Sequence, residues 1–112
     1  KLNDIYWMFV ENCFNDYQIL LSETIGEKKV ILGFQERLYM PDMKTTFVFK
    51  VFVIDRESLQ IEYVDMHEKI DNAFADYTTH FFGLSFSYYK EKEYENKAKV
   101  KEFKEIMQES VW

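Results

Sequence analysis

The stretch His80-Phe81-Phe82-Gly83-Leu84-Ser85-Phe86-Ser87-Tyr88-Tyr89 decides how the rest of this chain is read. Phe82, Leu84, Phe86 and Tyr88 alternate with the small residues Gly83, Ser85 and Ser87. Side chains on a strand point to opposite faces with period two, so the alternation predicts a strand with one aromatic, buried face and one lean face. From Asn96 the period changes. Val100, Phe103, Ile106, Met107 and Val111 fall on one stripe of a helix, and Lys97, Lys101, Glu102, Lys104 and Glu105 are among the residues opposite. Asn96 is a suitable N-cap, because its side-chain oxygen can accept a free N–H of the first turn. A helix with one apolar stripe needs a partner surface. The predicted core of this end of the chain is therefore Phe82, Leu84, Phe86, Phe103 and Met107.

Upstream, the chain reads mostly as strands. Residues 1–23 fit two descriptions. Leu2, Ile5, Tyr6, Phe9, Val10, Cys13, Tyr17, Leu20 and Leu21 match a helical stripe, yet Ile5–Val10 is a compact β-branched and aromatic run and Tyr17, Ile19 and Leu21 alternate. Two strands are favoured here. Ser22–Glu27 is a turn, with Gly26 free to take positive φ. Lys29–Leu38 alternates, with Val30, Leu32 and Phe34 on one side, and Pro41-Asp42 ends it. Thr45–Ile54 is the strongest strand: Phe47, Phe49, Val51 and Val53 share one face, while Val48, Phe52 and Ile54 share the other. A strand apolar on both faces is central or covered twice. Asp55–Ser58 turns the chain, and Leu59, Ile61 and Tyr63 alternate as a half-buried partner strand. Residues 65–79 read as a polar, irregular loop holding at most a helical turn.

The chain has 112 residues, which suits one domain spanning 1–112. It begins at Lys1 rather than Met, as a domain excised from a longer chain would. Aromatics make up 19% of the residues, so large rings dominate the expected core. The formal net charge of -6 disfavours nucleic-acid and anionic-lipid partners. Cys13 is the only cysteine, which excludes an internal disulfide and a cysteine-based structural zinc site. That cysteine usage fits an intracellular or cytoplasmic compartment. No apolar run is long enough for membrane insertion.

The expected architecture is α+β: a strongly bent antiparallel sheet or partial barrel of five to seven strands, capped by a C-terminal amphipathic helix. The alternative is an N-terminal helix, an antiparallel sheet and a C-terminal helix. In the first form, Phe82-Gly83-Leu84-Ser85-Phe86 leading to the amphipathic helix resembles the last strand and helix of the PH-like superfold, in the branch with EVH1 and Ran-binding domains. The resemblance covers roughly 30 of the 112 residues. It implies a non-enzymatic scaffold that binds peptides, proteins or lipids. The EVH1 groove tryptophan has no counterpart, since that region reads Ala73-Phe74-Ala75-Asp76-Tyr77, so proline-peptide binding does not carry over.

Each candidate site has a plainer reading beside it. His67-Glu68-x-x-Asp71 partly matches a zinc-protease motif, but its second His is replaced by Asp. Asp65, His67 and Glu68 offer ligands for a divalent ion; a solvated acidic loop is the simpler account. His80 reads as a structural or surface histidine rather than a general base. Cys13 has Glu11 and Asp16 nearby instead of a cation, and reads as a small buried hydrophobe. Lys90–Lys97 alternates in sign and reads as a solvated face. Trp7, Met8, Tyr39, Met40 and Tyr77 are large residues that the expected elements do not clearly bury, and they form the candidate partner surface.

The sequence thus predicts a protein- or peptide-binding interaction module with no catalytic residues, cofactor or metal. The alternatives are a small acidic chaperone-like or immunity protein, a ligand-cavity domain, and a homodimer formed through an open sheet edge.

Overall fold

The structure, a computed structural model, describes residues 17–39 and 41–111. Among these, four strands run in sequence order: β1 (Gln18–Ile25), β2 (Lys28–Tyr39), β3 (Lys44–Asp55) and β4 (Ile61–His67). Two helices follow, α1 (Ile70–Leu84) and α2 (Phe86–Val111). The sheet is an antiparallel meander in the order β1-β2-β3-β4. It is α+β with a C-terminal helix, as expected, but among the described residues it has four strands rather than five to seven, and it is open rather than closed.

Each turn has a local cause. The turn expected over Ser22–Glu27 is narrower, because Ser22–Ile25 continue β1: only Gly26 and Glu27 separate β1 from β2, and Gly26 takes φ 59°, the sign that the first residue of many two-residue hairpin loops needs. After Tyr39, Pro41 and Asp42 turn the chain, and the Asp42 carboxylate accepts the Lys44 N–H at 3.1 Å. After β3, one carboxylate oxygen of Asp55 accepts the N–H groups of Glu57 (2.8 Å) and Ser58 (2.9 Å). The other accepts from Lys28 Nζ at 2.9 Å. The Ser58 N–H, then Lys28, then the Glu57 N–H hold the Asp55 carboxyl down to about 2.

The central strand is covered on both faces, as its sequence predicts. Val30, Leu32, Phe49, Val51 and Val53 are buried beneath the helices. On the other face Ile31, Phe52 and Ile54 are buried, with Tyr17 and Leu59 packed against them. In β1 the pairing register shifts between Ile19 and Leu21. A bulge adds one residue and breaks strict alternation, so both Leu20 and Leu21 pack into the helix-side core while Ile19 is exposed.

The stretch from His80 to Tyr89 corrects the largest expectation. It is helical, not a strand, and its residues belong to two helices that meet at Ser85. The physical reason lies upstream. Ile70, Ala73, Tyr77 and Phe81 are buried at spacings of three, four and four, the stripe of a helix running through the segment expected to be a loop. Phe82, Leu84 and Phe86 consequently face outward, at 48%, 37% and 55% exposure, instead of forming core. Ser85 ends α1 with its N–H on the Phe81 carbonyl (3.0 Å) and starts α2 by accepting the Tyr88 N–H on Oγ (3.3 Å). Asn96 is accordingly no cap. It lies buried within α2, in line with Val100 and Phe103. Phe103 inserts among Phe34, Phe47 and Phe49, with ring centroids 4.7–5.9 Å away, and Met107 packs beside this core. Ile106, expected on the same stripe, is exposed.

Candidate functional site

Two features stand out once the helices are placed. The first is a polar centre where the edge strand β4 meets α1. Tyr63, Asp65 and His67 occur at every second position of β4, so one side of the strand carries all three. Asp76 and His80 are four residues apart on α1 and share one helix flank. The Asp76 carboxylate is the hub. Tyr63 Oη donates to it at 2.9 and 3.0 Å. His67 Nε2 lies 2.8 Å from Oδ2, and His80 Nε2 lies 3.2 Å from Oδ1. A carboxylate can only accept, so His67 contributes an Nε2–H to its bond with Asp76.

Asp65 completes the centre from the solvent side. Its carboxylate lies 3.9 Å from His67 Nε2 and 3.4 Å from Tyr63 Oη. The side chains of His67 and Asp76 are largely covered, at 18% and 14% exposure, while that of Asp65 is open at 56%. The Tyr63 hydroxyl is pushed up to about 12, first by burial and then by its hydrogen bond to Asp76 and the nearby carboxylates. It therefore remains a proton-bearing donor throughout the neutral range. The His80 ring packs against Tyr63 at a tilt of 45°, with centroids 4.1 Å apart. One oxygen or nitrogen of each of Asp65, His67 and Asp76 falls within 4.8 Å of the others, a spacing compatible with a shared cation.

The second feature is the aromatic corner at the helix junction. The rings of Phe82 and Phe86 meet edge to face with centroids 4.9 Å apart, and Tyr89 lies 5.5 Å from Phe82. Phe81, on the inner side, contacts Tyr77, Tyr88 and Tyr89, so the exposed pair stands on a buried aromatic layer. A separate cavity of about 410 Å³ opens near the start of α1. It has an apolar floor of Phe47, Phe49 and Met107 and a charged rim that includes Asp71 and Lys104.

The candidate residues from the sequence are distributed unevenly over these features. Asp65 and His67 come together, but with Asp76 and His80 rather than with Glu68 or Asp71. Glu68 instead lines the cavity by the α1 start, and Asp71 pairs there with Lys104. Of the expected partner surface, Trp7, Met8 and Met40 lie outside the described residues, as does Cys13. Tyr39 is the last residue of β2. Tyr77 is corrected from a poorly buried residue to the centre of the core, with no exposed surface. Its hydroxyl is pushed above the usual tyrosine range by burial, with Glu23 and Tyr88 adding to the effect. Apart from the buried Asn96, the run Lys90–Lys97 is a laced outer face, with Lys90, Lys92 and Lys97 each pairing with a glutamate three or four residues away.

Sequence reasoning missed Tyr63, Asp76, Phe82 and Phe86 as site residues. Asp76-x-x-x-His80 was the signal for the first centre, and it becomes visible only when 70–84 is read as a helix. Comparison of the chain with protein-family models, with curated proteins and with solved structures finds no match.

Proposed function

We propose that the domain is a non-enzymatic interaction module that binds a protein or peptide partner at the α1–α2 corner. The observation that carries this reading is the adjacent exposure of Phe82, Leu84 and Phe86. Aromatic residues supply a disproportionate share of interface energy, and contiguous exposed apolar patches mark contact surfaces. Phe82 and Phe86 are already held in contact with one another. Little side-chain ordering is then needed on binding, which lowers its entropic cost. The net charge of -6 favours a partner segment whose apolar side chains are flanked by neutral or basic ones. An intracellular setting belongs to the same proposal. The role does not depend on the PH-like resemblance, since the residues behind that resemblance are helical in this fold. No helix among the described residues is long and apolar enough to cross a membrane.

The test is a differential one. Wild-type protein, the double variant Phe82→Ser/Phe86→Ser and the control Tyr94→Ser, which alters an exposed residue farther along α2, are used to capture proteins from the native host. Proteins held by wild type and control but lost by the double variant, and binding it at least tenfold more weakly when purified, are expected. Equal retention by all three would rule out the corner as the docking site.

A second reading is favoured by the β4 edge, where Ile61, Val64 and Met66 are 39%, 50% and 50% exposed. Unpaired edges invite strand pairing, so a homodimer is the competing partner. Light scattering at two concentrations separates the readings: a dimer that persists in the corner variant and is abolished by Val64→Lys supports the edge.

A further inference from the structure

We propose that Asp65, His67 and Asp76 form a binding site for a divalent transition-metal ion of the zinc class, clamped between the sheet edge and α1. Three observations carry this. The first is geometric. The donor atoms of the three residues lie within 4.8 Å of one another, with His67 Nε2 at 2.8 Å from Asp76 and 3.9 Å from Asp65. The ion takes the place of the Nε2 proton of His67, whose ring hydrogen then sits on Nδ1. Around a tetrahedral zinc ion with bonds of about 2.0–2.1 Å, neighbouring donors stand about 3.3 Å apart. The two separations from His67 bracket that value, and the Asp65–Asp76 separation, within 4.8 Å, closes towards it by rotation of the exposed Asp65 side chain.

The second is electrostatic. Two carboxylates converge on one imidazole, and among the described residues neither of them pairs with a Lys or Arg. Like charges brought together in a partly buried place repel, and a bound cation removes the conflict. The donor set selects the class of ion: an imidazole nitrogen suits zinc and its first-row neighbours, whereas magnesium and calcium prefer oxygen alone. The third is the support around the ligands. Tyr63 Oη spans both oxygens of Asp76, at 3.0 Å from Oδ1 and 2.9 Å from Oδ2, His80 Nε2 lies 3.2 Å from Oδ1, and Oδ2 is the oxygen facing His67. Outer hydrogen bonds of this kind orient a ligating carboxylate. Asp65, more than half exposed, leaves one side of the site open to water, through which an ion arrives and where a fourth ligand binds.

The three ligands include none of the corner residues Phe82, Leu84 and Phe86, and metal binding is read without any protein partner, so this proposal and the proposed function fail independently. The test is calorimetric titration of the metal-stripped chain with Zn2+ and, separately, Mn2+, with circular dichroism verifying the fold of each variant. Wild type is expected to bind one Zn2+ per chain. His67→Gln and Asp65→Asn are expected to weaken binding more than ~100-fold, and Tyr63→Phe, which removes an orienting bond only, about 10- to 100-fold. Glu68→Gln is expected to leave it unchanged. Asp65 is exposed, so its variant retains the fold even if substitutions at His67 do not. The visible spectrum of bound Co2+ provides a second readout, expected to vanish in Asp65→Asn. Absence of saturable one-to-one binding by wild type overturns the proposal. So does a Zn2+ affinity that is the same in Asp65→Asn as in wild type, or an equal loss in Glu68→Gln.

Discussion

The β2–β3 hairpin and the α1–α2 junction are written in nearly the same code and fold in opposite ways. Phe47, Phe49, Val51 and Val53 alternate, and so do Phe82, Leu84, Phe86 and Tyr88. In the hairpin the intervening residues include Val48, Phe52 and Ile54, which give the strand a second apolar face and strong β propensity. At the junction they are Gly83, Ser85 and Ser87, which offer a strand nothing to pack. Ser85 offers a helix something instead, an oxygen for the first turn of α2. The lesson is that alternation over seven residues does not identify a strand unless the other face also has a use. A helix that stops and restarts at one capping residue produces the same pattern.

Substitutions at the junction break this comparison most sharply. Phe81 has no exposed surface, whereas its neighbour Phe82 is 48% exposed. Phe81→Ala is expected to lower unfolding free energy by about 3–5 kcal/mol, and Phe82→Ala to change it by less than about 0.5 kcal/mol. Urea denaturation of the two variants reads the difference, and the reverse order would restore the strand. A smaller effect tests the cap. Ser85→Ala removes the acceptor for the Tyr88 N–H and is expected to cost about 1 kcal/mol, while Ser87→Ala, without a capping bond, serves as the control.

The smallest effect concerns the hairpin's base. Asp55 has its carboxyl held at about 2, below the ordinary 3.8, by backbone N–H groups and Lys28. A depressed folded-state value means that its contribution is fully present above the ordinary value. It is lost as pH falls from 3.8 towards 2. Asp55→Asn is therefore expected to flatten the pH dependence of the melting temperature in that window and to leave it unaltered near neutrality. An undiminished acid slope in the variant would place the titration elsewhere.

The sheet was legible wherever burial repeats with the period of a single element. β2 and β3 announce themselves through β-branched and aromatic runs on both faces, and Asp55–Ser58 and Gly26-Glu27 turn the chain as their side chains and φ angles require. The stripe of Ile70, Ala73, Tyr77 and Phe81 is equally regular but diluted by polar residues, and it lies beside more conspicuous aromatics that alternate. α1 also starts without a side-chain cap, since Lys69 makes no capping bond, so the usual start signal was missing. The polar centre was half visible for the same reason. Asp65 and His67 stand two apart in one strand, but their partners Asp76 and His80 come from α1, whose apolar stripe is diluted by polar residues. No local pattern encodes a contact that spans two elements. Leu20 and Leu21, both directed to the core by a bulge, show the limit of strict alternation in β1.

The register of the sheet has a mechanical consequence. β2 and β3 pair along their full length, from Lys28 with Asp55 to Tyr39 with Lys44. β1 accompanies β2 only as far as Phe34, and β4 accompanies β3 only as far as Phe49. Among the described residues, the last five of β2 therefore form a two-stranded extension with β3, roughly 17 Å long at about 3.4 Å per residue, with no flanking strand. Leu38 and Met43, at 51% and 63% exposure, ride near its tip. A load applied there acts with leverage on the root, where Phe34, Phe47 and Phe103 are interlocked.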